Sequence, residues 1–127
     1  MIKSIMCQLA VTGFLILNLA TAEAQDSFYN SKTVRIIVGA AAGGGYDTYS
    51  RTIARHIGKH IPGNPTFVVE NMPGAGFLIS ANYMFNIAKP DGLTIGHFIG
   101  GLFLQQLLDK PGIAFNATKF EFIGVPT

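Results

Sequence analysis

The stretch Val34-Arg35-Ile36-Ile37-Val38-Gly39-Ala40-Ala41-Ala42-Gly43-Gly44-Gly45-Tyr46-Asp47 decides how this chain is read. An apolar run breaks into glycine, and a helix-like pattern opens after it. The same order returns in Phe67-Val68-Val69-Glu70-Asn71 followed by Met72-Pro73-Gly74-Ala75-Gly76. Each reads as strand, glycine loop, helix start. Free backbone N–H groups and the positive end of the helix dipole make such a turn an anion site. Two of them on adjacent parallel strands face one crevice, where open α/β sheets bind ligands. The pattern predicts capture of a small anion.

Outward from these loops, β and α signals alternate. The first strand is expected at Thr33 to Val38 and the first helix at Asp47 to Ile61. Tyr49, Ile53, Ile57 and Ile61 recur at i, i+4, with Arg51, Arg55 and Lys59 opposite them, so the helix is amphipathic. Pro62-Gly63-Asn64-Pro65 stops it. A second strand follows at Thr66 to Glu70. A second helix, apolar nearly all round and hence expected to be deeply packed, follows at Leu78 to Ala88. A third strand is expected at Leu93 to Phe98, a third helix at Leu102 to Leu108, and a fourth strand near Phe122. Short links between alternating elements argue for a parallel sheet with helices on both faces, an α/β fold whose βα loops share one sheet edge.

The N-terminus reads as a signal peptide, residues 1–24. Lys3 supplies the positive start, Leu9 to Leu19 the short apolar core, and Ala22-Glu23-Ala24 a small-x-small cleavage site. A membrane anchor is the competing reading, but Gln8, Thr12, Asn18 and Thr21 dilute the apolar stretch. The one cysteine, Cys7, leaves with the signal, so the exported remainder carries no disulfide and rests on its hydrophobic core. A net charge of +2 is mild, and no lysine or arginine cluster points to a nucleic-acid partner, so none is expected. The strand expected near Phe122 has no helix after it to cover it, so residues 25–127 read as the first part of a larger protein.

Four readings of the first loop compete. A P-loop needs lysine and then serine or threonine after the glycines, and Tyr46-Asp47 stand there instead. A dinucleotide fingerprint lacks its third glycine at Thr48, although Glu70 sits where a ribose-binding acid would. A purely structural turn would account for one such loop more easily than for two. An anion receptor needs backbone donors alone, and its candidate residues are Gly43, Gly44, Gly45, Tyr46, Asp47, Gly74, Ala75 and Gly76. Asp47 is most simply the N-cap of the first helix, and Asn71 a brace for the second turn. His56 and His60 have metal-compatible spacing but no acid or cysteine beside them, which favours a solvated helix edge. His97 ends the third strand at the proposed ligand edge, as a ligand contact or a packed histidine. Gly100-Gly101 follow it as a weaker third loop. Neither a metal nor a cofactor is called for, and catalysis has no positive support.

At the loops the chain resembles a known family. Ile36-Ile37-Val38-Gly39 leading to Gly43-Gly44-Gly45-Tyr46-Asp47-Thr48-Tyr49-Ser50-Arg51 resembles an apolar strand, P-G-G-x-x-D and an arginine. Val68-Val69-Glu70-Asn71-Met72-Pro73-Gly74-Ala75-Gly76 resembles V-V-x-N-x-P-G-A-G, and Lys89-Pro90-Asp91-Gly92-Leu93-Thr94-Ile95-Gly96 resembles P-D-G-x-T-[IL]. These are motifs of the periplasmic receptors of tripartite tricarboxylate transporters, the Bug-type solute-binding proteins. The resemblance implies a two-lobed periplasmic binding protein of type II-like fold that captures a small carboxylate between its lobes. It also implies delivery to the membrane components of the transporter, with a monomeric full-length form. The chain would supply part of lobe one. Two departures stand out: Ala42 where the family commonly has proline, and Phe77 where many members have a second glycine. An exported hydrolase-like enzyme with an oxyanion site, and a vestigial chain that binds nothing, are the other two readings.

Overall fold

A computed structural model describes residues 27–125; the expected signal peptide lies outside them. The chain runs β1 (Thr33–Val38), α1 (Gly45–Ile57) closing in a 3-10 turn (Gly58–His60), and β2 (Thr66–Asn71). A 3-10 turn (Ala75–Phe77) then leads directly into α2 (Leu78–Asn86), followed by β3 (Thr94–His97), α3 (Gly101–Leu107) and a 3-10 turn (Ala117–Lys119). The strands form one parallel sheet in the order β2-β1-β3. The α/β class expected from the alternation is the one observed.

The central position of β1 explains its composition. A strand hydrogen-bonded on both edges and covered on both faces reads as a continuous apolar run, and Val34, Ile36, Ile37 and Val38 are all buried. Arg35 is the exception. Its Nε and Nη2 donate to the two carboxylate oxygens of Glu70 on β2 at 2.7 and 2.6 Å, and its Nη1 donates to the Tyr83 hydroxyl on α2 at 3.4 Å. The fork matches the carboxylate and holds Glu70 below the usual carboxylate range, chiefly through the Arg35 hydrogen bonds. Glu70 is therefore committed to the sheet face rather than to a ribose.

Alternation along the strands separates the two faces. α1 lies over the face of Phe67, Val69 and Asn71, and α2 over the opposite face with Arg35. Helices thus cover both sides of the sheet, as expected. The first helix departs from its expected stripe. Asp47 and Ser50 are its buried residues, while Tyr49 is 42% exposed. The α-helix ends at Ile57 and tightens into the 3-10 turn; glycine at 58 lets the Pro65 carbonyl of the returning chain approach to where a Cβ would stand.

The second helix is covered toward both the sheet, by Ser80 and Tyr83, and the aromatic cluster, and leaves one edge exposed. Leu78, Ala81 and Phe85 join a cluster with the buried Leu102 and Phe115, whereas Ile79 and Ile87 are exposed. It stops at Asn86, two residues short of the expectation. Phe120 packs its ring against Phe85, Phe103 and Phe115 at 5.7 to 5.8 Å, and Phe122 lies 5.1 Å from Phe103. The fourth strand expected near Phe122 is absent: residues 121–125 join no ladder among the described residues. A strand needs a hydrogen-bonding partner; here Phe120 is held in the aromatic cluster, and the residues after it are exposed, with Phe122 alone meeting a helix through the Phe103 ring.

Gly39 fixes the approach of the second helix to the first strand. A Cβ there would overlap the Phe77 ring and Ser80 Oγ. Gly39→Val is expected to cost about 1–3 kcal/mol by overpacking. A lowered urea midpoint with an unchanged slope would show it, and an unchanged midpoint would mean that Phe77 is free to move aside.

Candidate functional site

Three chain segments meet at the carboxyl edge of the sheet: the loop after β1, the loop after β2, and His97 at the end of β3. The first loop is organised by a buried carboxylate. Asp47, 3% exposed, is the third residue of α1; Gly44 occupies the N-cap position. Asp47 is therefore not the helix N-cap that its position suggested. Its Oδ2 accepts from the Gly43 backbone N–H at 2.8 Å and from Arg51 Nε at 3.0 Å. Its Oδ1 accepts from Asn71 Nδ2 at 2.9 Å and lies 3.0 Å from Arg51 Nη2. These donors, Arg51 foremost and then Gly43 and Asn71, hold the Asp47 carboxyl well below the usual carboxylate range.

Asn71 extends the network across the sheet edge. Its Nδ2 also donates to the Ala40 carbonyl at 3.0 Å, and its Oδ1 accepts from Arg51 Nη2 at 3.0 Å. The side chain at the end of β2 thereby braces the loop that follows β1. With Asp47 turned inward, the backbone N–H groups of Gly45, Tyr46 and Asp47 in the first turn of α1 have no partner among the described residues. Gly43, Gly44 and Gly45 are exposed. Of the three, Gly43 needs to be glycine on conformational grounds (φ +82°), whereas Gly44 is extended (φ −75°, ψ 171°), and a Cβ there would stand 3.3 Å from the Ala41 carbonyl oxygen.

The second loop runs through left-handed backbone. Gly74, Ala75, Gly76 and Phe77 have φ of +138°, +45°, +61° and +73°. For a side chain as large as Phe77 that conformation costs about 1–2 kcal/mol. It accounts for glycine being the commoner residue in the resembled motif at this position. The strain is offset by packing, because the Phe77 ring meets Tyr46 edge-on at 4.8 Å. The backbone N–H groups of Ala75 and Gly76 are unpaired among the described residues, and both residues are exposed.

The structure thus brings Gly43, Gly44, Gly45 and Tyr46 to the same rim as Gly74, Ala75 and Gly76, and puts Asp47 behind them as their frame. Ser50 and Arg51 also stand at this edge; the sequence marked Arg51 as the arginine of the resembled motif and as part of the polar helix face, and did not single out Ser50. The Asp47-x-x-x-Arg51 spacing is a visible ion-pair signal on a helix; Ser50 has none. Ser50 Oγ lies 2.7 Å from His97 Nδ1, and the imidazole sits 5.0 Å from the Tyr46 ring. His56 and His60 fall in different elements, α1 and the turn after it, and both are exposed. Among the described residues no group of three or more His, Cys, Asp or Glu is placed to hold a metal. No helix among them is long and apolar enough to cross a membrane. An open groove of about 310 Å³ runs along the flank of α1, lined by Arg51, Ala54, Arg55, Phe67 and Val69, away from the loop rim.

No family model matches the chain. It is similar to curated proteins named UPF0065. One, from Agrobacterium vitis, is 47% identical over 109 residues, which cover 84% of this chain and 30% of that protein. One from Cupriavidus necator is 38% identical over 86 residues, 68% of this chain and 25% of that protein. One from Bordetella bronchiseptica is 31% identical over 105 residues, 83% of this chain and 30% of that protein. The chain spans a quarter to under a third of the length of these relatives.

The Asp47 network carries a pH signature. A carboxyl whose folded pKa is depressed stabilises the fold fully above its unfolded value, near 4, and loses that contribution as pH falls toward the folded value. Asp47 and Glu70 are both depressed, so stability is expected to fall steadily below about pH 4. Urea midpoints measured from pH 7 to pH 2 should show a shallower acid limb in Asp47→Asn than in the wild type, with Glu70→Gln as the comparison for the second carboxyl. An Asp47→Asn acid limb as steep as that of the wild type would remove Asp47 from this role.

Proposed function

We propose that this chain is part of one lobe of an exported, periplasmic solute-binding receptor. The receptor captures a small carboxylate and passes it to the membrane components of a tripartite transporter. The observation that carries this reading is the pair of loops whose backbone N–H groups are left unpaired at one sheet edge, those of Gly45 and Tyr46 on one side and of Ala75 and Gly76 on the other. Amides at helix starts attract anions without any cationic side chain. Arg51, the nearest guanidinium, is already engaged by Asp47 and Asn71. UPF0065, the name borne by the relatives, is the family of the Bug receptors, which supports the same reading.

In this reading the amides of both loops donate to the carboxylate oxygens, the Tyr46 ring forms a wall between the loops, and Asp47 with Asn71 keeps the first loop in shape. The activity is binding and release. One observation points toward a hydrolase-like enzyme instead, the 2.7 Å contact between Ser50 and His97. It does not make a nucleophile, because Ser50 is 1% exposed on the inner side of α1, out of reach of a substrate.

The test is calorimetry with citrate and with succinate on the full-length receptor of which this chain is part, as wild type and as three variants. Gly43→Val and Gly76→Val place a β-branched residue at positive φ and are expected to weaken binding roughly tenfold or more. Arg55→Ala, on the exposed flank of α1, is expected to bind like the wild type. Normal binding by both glycine variants together with loss in Arg55→Ala would move the site to side-chain charge on the helix flank.

A further inference from the structure

We propose that His97 is a ligand-binding residue: its Nε2–H, fixed in that tautomer by Ser50, donates to an oxygen of the bound carboxylate. The proposal rests on the receptor reading above and adds a side-chain donor to its backbone ones.

The tautomer follows from hydrogen-bond satisfaction. Ser50 Oγ is buried, and its one partner among the described residues is His97 Nδ1. If Nδ1 carried the proton and donated to Oγ, the buried hydroxyl hydrogen would be left without an acceptor, which is costly. The hydroxyl therefore donates to Nδ1, and the ring proton sits on Nε2. Burial pushes the His97 imidazole below its ordinary pKa, which keeps the ring neutral.

Accessibility follows from the same accounting. Nε2 makes no hydrogen bond to any described residue, yet no buried side-chain nitrogen or oxygen among them lacks a partner. Nε2 is therefore open to solvent, on a residue that is itself half-buried. Its position is given by the topology. With strand order β2-β1-β3, the chain leaves β1 in one direction and returns to its other side, so the crevice of the sheet opens outside the carboxyl ends of β1 and β3. His97 pairs with Val38, the last residue of β1, and its carbonyl accepts the Gly39 N–H at 3.3 Å. The imidazole also stands beside Tyr46, which carries one of the free amides of the first loop, with ring centroids 5.0 Å apart.

The test reads tautomer and binding separately. Long-range proton–nitrogen NMR of the wild-type chain without ligand is expected to show His97 protonated at Nε2, and Ser50→Ala to show a mixture of tautomers. Wild-type His97 protonated at Nδ1 would overturn the proposal. Citrate and succinate are then titrated while the loop amides are followed. His97→Phe keeps a ring but no donor and is expected to weaken binding roughly tenfold or more. His97→Gln, whose amide N–H stands in for Nε2–H, is expected to stay within about threefold of the wild type. Melting curves check that each variant folds. Should His97→Phe not fold, the His97→Gln affinity and the movement of the wild-type Nε2 signal on adding citrate decide. Loop amides that respond to citrate or succinate, with His97→Phe binding as tightly as the wild type, would overturn the role of His97 and leave the receptor reading standing. No response of any loop amide to either probe would overturn both.

Discussion

Asp47 carries a charge into the interior, and the carboxyl edge of the sheet is arranged around it. A carboxylate removed from water must be met by donors or neutralised. Here it is met by a backbone N–H from the loop before it, an arginine one turn further along its own helix, and an asparagine from the neighbouring strand. It also stands in the first turn of α1, where the helix dipole favours negative charge. The carboxylate thereby satisfies the loop from behind. The helix-start amides on the outer side are left for something else.

The sheet gives that arrangement its place. β1, central and apolar, fixes the ends of β2 and β3 by parallel register, Val38 standing beside Asn71 on one side and beside His97 on the other. The groups that shape the rim are thus tied to consecutive strand ends rather than to flexible chain. Phe77 completes the rim from the opposite face, lying against Gly39 and Tyr46 in a backbone conformation that phenylalanine adopts only under packing constraint.

Much of the fold was legible because its signals are local. An apolar run that ends in glycine marks a buried strand end, and β1 and β2 fall where the runs Val34 to Val38 and Phe67 to Asn71 put them. The glycine loops were legible for the same reason. What was not legible depends on distant partners. The inward stripe of α1 begins with two polar residues, Asp47 and Ser50, whose burial makes sense only once Asn71 and His97 are beside them. Ser50 and His97 are 47 residues apart in sequence, a separation that leaves no pattern to read. The aromatic residues near Phe122 look like a strand because strand and aromatic-cluster sequences are alike. Their packing on α2 and α3 is decided by tertiary contact.

Asn71 touches both ends of this arrangement, and that has a dynamic consequence. One amide side chain holds the Ala40 carbonyl, the Asp47 carboxylate and the Arg51 guanidinium, while the next residue, Met72, gives its N–H to Val38. The first loop cannot lift away without releasing the end of β2, and the end of β2 cannot fray without releasing the loop. Local opening at this edge is therefore cooperative: the loop shares the opening free energy of the strands beneath it rather than the low value of a free surface segment. The Gly43 amide, bound to Asp47 in an exposed glycine turn, is thereby expected to exchange its hydrogen along with the sheet rather than with the free surface.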